Sequence, residues 1–155
     1  MGKALFYHLT QNPLEVTARN LLSRALAQGM RVMVRGRAPA RLAALDAALW
    51  QGDKAGFLPH GLAGGPHDAD QPVLLGTGHD AANGASIVMA IDRAEADPTE
   101  VAALERLWIL FDGADAEALA HARTQWSAMV AAGVQAEYWS EDSGRWTCKA
   151  QSGGE

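Results

Sequence analysis

Short apolar runs recur along this chain, separated by longer stretches whose apolar residues fall three and four apart. That pattern predicts strands interleaved with helices. Ala4–His8 reads as a first strand. Leu14–Gln28 reads as a helix with Leu14, Ala18, Leu21, Leu22, Ala25 and Leu26 as its apolar stripe. Asn12 is placed to cap it, Pro13 suits its first turn and Gly29 ends it. Arg31–Arg35 sets Val32, Met33 and Val34 between charged ends, which suits a buried second strand. Pro39 opens a second helix with Leu42, Leu45 and Leu49 on one face. At about 100° per residue, Trp50 sits at the edge of that stripe.

Ala63–Gln71 is rich in Gly, Pro and Asp and reads as a mobile loop. Pro72–Gly76 and Ser86–Ile91 read as strands. Pro98–Glu105 looks helical, and Leu107–Phe111 like another buried strand. Asp115–Ala132 is a helix with Leu119, Ala122, Trp126, Met129 and Val130 on one side and Gly133 at its end. Val134–Trp139 and Arg145–Lys149 finish as short strands around a Ser143–Gly144 turn. The predicted fold is α/β: a single-domain, three-layer Rossmann-like sheet with helices on both faces. Residues 1–150 are expected to form the domain and 151–155 a flexible tail.

The chain has 155 residues, 48% apolar and 20% charged, which fits one globular domain with a real core. Apolar runs such as Ile87–Ile91 fall far short of the ~20 residues a membrane helix needs. The start, MGKALFYHL, lacks the regions of a signal peptide. The single cysteine, Cys148, forms no internal disulfide and supports no thiolate cluster, so a reducing, cytoplasmic setting is expected. Charge is uneven. Residues 1–60 carry eight Lys/Arg against three Asp/Glu, and residues 61–155 carry five against fifteen. Arg31, Arg35, Arg37 and Arg41 make either a solvated basic face or a local anion site. An acidic body disfavours broad nucleic-acid binding.

Chemistry is mostly missing. A phosphate site needs glycines after the first strand so that backbone N–H groups can cradle the anion. Here the strand runs into His8-Leu9-Thr10-Gln11-Asn12-Pro13. Gly76-Thr77-Gly78 follows a strand, but no helix opens behind it. His60, His67, Asp68, Asp70, His79 and Asp80 are metal-ligand types whose spacing matches no helix-based or finger-type site. Cys148 has no local base, and His121 lies mid-helix. Asp112 and Asp115 are read as helix-start residues. No cofactor or metal is expected.

Two features remain. Leu45–His60 runs off a helix end and gathers Trp50, Phe57, Pro59 and His60, the makings of a shallow apolar pocket. Arg123 and Trp126 are neighbours on a helix surface. Either Trp126 is core and Arg123 merely exposed, or the two form an aromatic wall beside a guanidinium. The second arrangement grips a peptide that ends in an apolar side chain and a carboxylate.

Taken in order, FYHL, LDAALW…FLPHG, QPVLL, LFDG, RTQWSAMVAAG and YW…GRW resemble the chi subunit family of bacterial DNA polymerase III over nearly the whole chain. The resemblance implies a non-catalytic adaptor of the clamp-loader assembly. It implies two partners: the acidic C-terminal tail of the single-stranded-DNA-binding protein, and the psi subunit. By position it implies that Trp50, Phe57 and Pro59 match an aromatic pocket, that Arg123 matches a basic residue there and that Trp126 takes an aromatic position. Ser127 stands where some relatives carry lysine, which weakens the expected electrostatic contact. On charge and position, Arg41 joins Arg123 as a candidate rim for an acidic peptide, and the Arg123–Trp126 face is expected to form the second wall of the Leu45–His60 pocket. The rival readings are a small nucleotide-binding α/β enzyme or sensor, and a direct nucleic-acid binder using Arg31–Arg41. Neither sequence-specific DNA binding nor membrane association is expected.

Overall fold

The computed structural model describes residues 2–51, 59–78, 82–141 and 144–152. Among these, eight strands form one sheet. In chain order they are β1 (Lys3–Leu9), β2 (Val32–Arg35), β3 (Gly61–Leu62), β4 (Val73–Gly76), β5 (Ile87–Ala90), β6 (Arg106–Asp112), β7 (Ala136–Ser140) and β8 (Thr147–Ser152). The helices are α1 (Leu14–Ala27), α2 (Pro39–Trp50), α3 (Pro98–Val101) and α4 (Ala116–Ala131). Spatial order is β3-β4-β2-β5-β6-β1-β7-β8. All pairings are parallel except the antiparallel β7–β8 edge.

The central strands β2, β4, β5 and β6 bury both faces, so they read as continuous apolar runs. On one face Leu5, Leu9, Val32, Val34, Trp108 and Leu110 pack against Leu21, Leu22, Leu42, Leu45 and Leu49 of α1 and α2. On the other face Ala4, Phe6, Met33, Leu107, Ile109 and Phe111 pack against Ala118, Ala122 and Met129 of α4 and Val101 of α3. Successive strand residues therefore serve opposite cores, as a period of two requires. The result is the expected three-layer α/β domain. Hairpin strand β8 reaches Ser152, taking in two residues of the segment read as a tail.

Most predicted elements are present with shifted ends. Gly29 and Gly133, at φ 77° and 76°, close α1 and α4 in the left-handed conformation that glycine adopts without strain. Three local expectations are corrected. The Pro98 helix stops at Val101, because the chain must turn into β6 at Arg106. The Ala63–Gln71 stretch read as a loop holds a 3-10 turn at Asp68–Asp70, and edge strand β3 lies just before it at Gly61–Leu62. Asn12 does not cap α1, whose N-cap is Pro13 with no side-chain hydrogen bond. The Asn12 side chain bonds Glu141 instead, at 2.8 Å. The Asp112 and Asp115 expectation holds. Asp112 accepts from the Ala114 N–H, and Asp115 caps α4 through the Glu117 and Ala118 N–H groups.

Candidate functional site

The sequence-predicted residues fall on two surfaces. Trp50 is the last residue of α2 and is 57% exposed. Its helix end is fixed by Arg19 of α1, whose Nη2 donates to the carbonyls of Ala48 and Leu49 at 2.8 and 2.7 Å. A cation on the last carbonyls of a helix is favoured by their unpaired lone pairs and by the dipole. Trp50 lies against His60, ring centroids 4.5 Å apart. The His60 ring is buried, with Nε2 3.3 Å from the Asp46 carbonyl oxygen and 3.3 Å from Asp46 Oδ1. Pro59 is half-buried just before it. Phe57 lies outside the described residues.

Arg123 and Trp126 sit on α4, across the sheet. Trp126 is half-buried against the α4-side core, while α2 belongs to the other core. The expectation that Trp50 and Trp126 form two walls of one pocket is therefore corrected: the sheet lies between them. Spacing along a helix fixes which face a residue takes on that helix, but not which side of the sheet the helix covers. Arg41, in the first turn of α2, is also remote from Arg123 and stands 3.9 Å from Asp92.

Around Trp126 the structure assembles an aromatic group that sequence reasoning did not gather. Phe6 meets Trp126 edge-on at 5.3 Å, and Tyr138 meets it edge-on at 5.9 Å. Phe6 and Tyr138 are near-parallel at 6.5 Å. His8 Nδ1 lies 2.8 Å from the Tyr138 hydroxyl. Burial pushes the Tyr138 phenol pKa up, and the Arg123 guanidinium pulls it the other way, which places that cation within electrostatic reach. Arg123 is exposed, and no acidic side chain among the described residues pairs with it. The only sequence signal for this group was the alternation in Phe6-Tyr7-His8, which puts Phe6 and His8 on one face. It could not say that Tyr138 joins them from β7.

The C-terminal ends of β1, β5 and β6 open onto a cleft of about 540 Å3, floored by Leu9, Leu45, Ile91 and Leu110. In parallel α/β sheets this is where ligands commonly bind. Here the turn from β1 to α1 is already filled. Glu141 Oε2 accepts from the N–H groups of Thr10, Gln11 and Asn12 at 3.1, 3.2 and 3.2 Å. Burial by itself would raise the Glu141 pKa, but the hydrogen bonds from Asn12, Thr10 and Gln11 outweigh it and hold the carboxyl below 4.5. A protein carboxylate thus sits where a phosphate-binding loop would hold its anion. Among the described residues, no three His, Cys, Asp or Glu side chains gather as a metal site requires.

Arg35, expected at a charged strand end, is buried. Its Nη1 donates to Glu100 Oε1 at 3.0 Å and to the Glu95 carbonyl at 3.2 Å, and its Nε to the Gly78 carbonyl at 3.2 Å. The arginine cluster is therefore neither one solvated face nor one anion site.

Strand order, layering and the filled turn define a Rossmann-like α/β domain in which Arg123, Trp126 and Trp50 stand on helix surfaces, outside the cleft at the strand ends that Arg41 and Arg93 line. Over residues 1–137 the chain matches the family model of the DNA polymerase III chi subunit, HolC. It belongs to that family, an accessory subunit of the polymerase acting in DNA replication. Among curated proteins none matches significantly. No helix of the described residues is long and apolar enough to cross a membrane.

Proposed function

We propose that this chain is a non-catalytic adaptor that binds the acidic C-terminal tail of the single-stranded-DNA-binding protein through Arg123 and Trp126, with Tyr138 beside them. The observation that carries this reading is the exposed, acid-free Arg123 guanidinium one helical turn from a half-buried tryptophan. An Asp-rich peptide ending in an apolar residue needs that combination. The arginine takes carboxylates, and the aromatic group takes the apolar end. A short peptide on a patch this small should bind at micromolar Kd, about −7 to −8 kcal/mol, and more weakly as salt rises.

Trp50, Pro59 and Phe57 then serve a second partner, the psi subunit that ties the adaptor to the clamp loader. An exposed tryptophan is an expensive surface residue for a monomer and a common interface anchor. One short peptide cannot reach both faces of the sheet. Arg41, on the α2 side, goes with this second face and leaves the tail site. The rival, a nucleotide-binding enzyme or sensor, is disfavoured because Glu141 already fills the β1–α1 turn.

Fluorescence anisotropy with a labelled copy of the tail tests the assignment. Arg123→Ala and Trp126→Ala should each weaken binding about tenfold, the cost of a charge-assisted contact or a buried anchor. Trp50→Ala should leave it within about twofold. A wild-type protein that does not bind the peptide refutes the function. Equal weakening by Trp50→Ala refutes the division into two faces.

A further inference from the structure

We propose that His8 and Tyr138 are a proton-controlled part of the site beside Arg123 and Trp126, so that an acidic peptide binds more tightly once His8 carries a proton. The inference rests on the peptide-binding reading of that site. Tyr138 Oη and His8 Nδ1 are 2.8 Å apart, a hydrogen-bond distance bridged by a single proton. Either atom can supply that proton. With Nδ1 unprotonated, the phenol donates to it, and the phenol oxygen then offers a ligand only lone pairs. A peptide carboxylate is repelled by that arrangement. With both imidazole nitrogens protonated, Nδ1–H donates to the phenol oxygen, and the phenol proton is released toward the ligand. The charge gained by the ring also attracts an acidic chain. Both effects have the same sign.

The surroundings hold the ring in this role. His8 faces α4 from β1, with its ring 5.1 Å from Phe111 and edge-on to Tyr138 at 5.9 Å. On the far side His8 Nε2 lies against Gly113, where even a Cβ would collide with it. The ring is thus wedged between β6, β7 and the turn before α4. The charged and titratable groups at this end of the elements around it are Tyr138 on β7, Arg123 and Glu117 on α4, Asp115 at the N-cap of α4 and Asp112 at the end of β6; Glu117 is paired with Arg93 at 2.9 Å. Asp112 Oδ1 is engaged by the Ala114 N–H, and Asp115 Oδ1 by the Glu117 and Ala118 N–H groups. Lys3 and Glu137 pair with each other, and alternation puts them on the other face of the sheet. His121, also on α4, is engaged elsewhere, with Nε2 3.4 Å from the Ala94 carbonyl.

The test is a titration of an Asp-rich peptide, ending in a free apolar residue, from about pH 8 to about pH 5.5 at fixed ionic strength, the range in which histidines change charge. Wild-type affinity should rise about tenfold across this range, the worth of one charge-assisted hydrogen bond. His8→Gln keeps a hydrogen-bonding side chain that does not titrate, and its affinity should stay flat. Tyr138→Phe should keep only the part of the rise due to charge. His121→Gln should keep the full wild-type rise. A flat wild-type profile, or a full rise in His8→Gln, overturns the proposal while leaving the peptide site standing. Absence of peptide binding at every pH overturns the site as well.

Discussion

Replacing Glu141 by Gln removes the charge that fastens the β1–α1 turn to the end of β7. The carboxylate is 2% exposed and accepts from three consecutive backbone N–H groups and from the Asn12 side chain. Glutamine keeps one carbonyl oxygen, but its NH2 group faces donors. With that oxygen turned to the three backbone N–H groups, the NH2 is left facing Asn12 Nδ2, and the three bonds lose their charge assistance, at about 1 kcal/mol each, for a total of about 3 kcal/mol. For a domain of this length that lowers Tm by about 6–12 °C. Calorimetry of both proteins near neutral pH reads the shift. The pH dependence is a second check. The folded-state carboxyl titrates below its ordinary 4.5, so its contribution is present above that value and is lost as pH falls through the folded pKa. The gap between wild type and Glu141→Gln should be constant above about pH 5 and should close in acid. A Tm difference under about 3 °C, or a gap that persists in strong acid, would show that the carboxylate charge contributes little and that the clamp is incidental.

Other perturbations probe separate parts of the molecule. Glu100→Ala takes a carboxylate partner from the buried Arg35 guanidinium and breaks the capping box at Asp97; urea unfolding should show a loss of about 3 kcal/mol. Arg35→Met should cost less than Glu100→Ala, because it removes the buried charge rather than one of the groups that compensate it, and the reverse order would count against that account. The Tyr7 phenol is pushed up to about 12, mainly by burial. Its contribution to stability is whole below pH 10 and is lost as pH rises toward 12, so absorbance titration should show its ionisation coinciding with alkaline unfolding.

Much of the fold was legible because local pattern and global fold agree. Val32-Met33-Val34 is apolar without a break, and the structure spends its residues alternately on the two cores. The Pro39 start and the Gly29 and Gly133 stops are local chemistry, and they hold. What was not legible depended on contacts far apart in sequence. Arg35 looked like a solvated strand end, yet the carboxylate of Glu100 reaches it from α3, three strands further along the chain. Asn12 looked like a cap, yet Glu141 claims it from the far end of β7. The candidate site failed in the same way. Trp50 and Trp126 were each recognisable as aromatics at helix surfaces, but the side of the sheet each helix covers is set by the crossover of the chain, which residue spacing does not encode.

On the two-face function proposed above, the separation of Trp50 from Trp126 by a sheet makes the domain a spacer. Two guests on opposite faces share no side chain, so their binding free energies should simply add, and neither should compete with the other. A packed three-layer core also has none of the slack of a polar linker, which spreads its ends over a broad range of distances. Holding one guest therefore confines the other to a narrow volume, where a weak contact is re-formed soon after it breaks. Micromolar grips of this kind release quickly one at a time, yet hold when the second is in place.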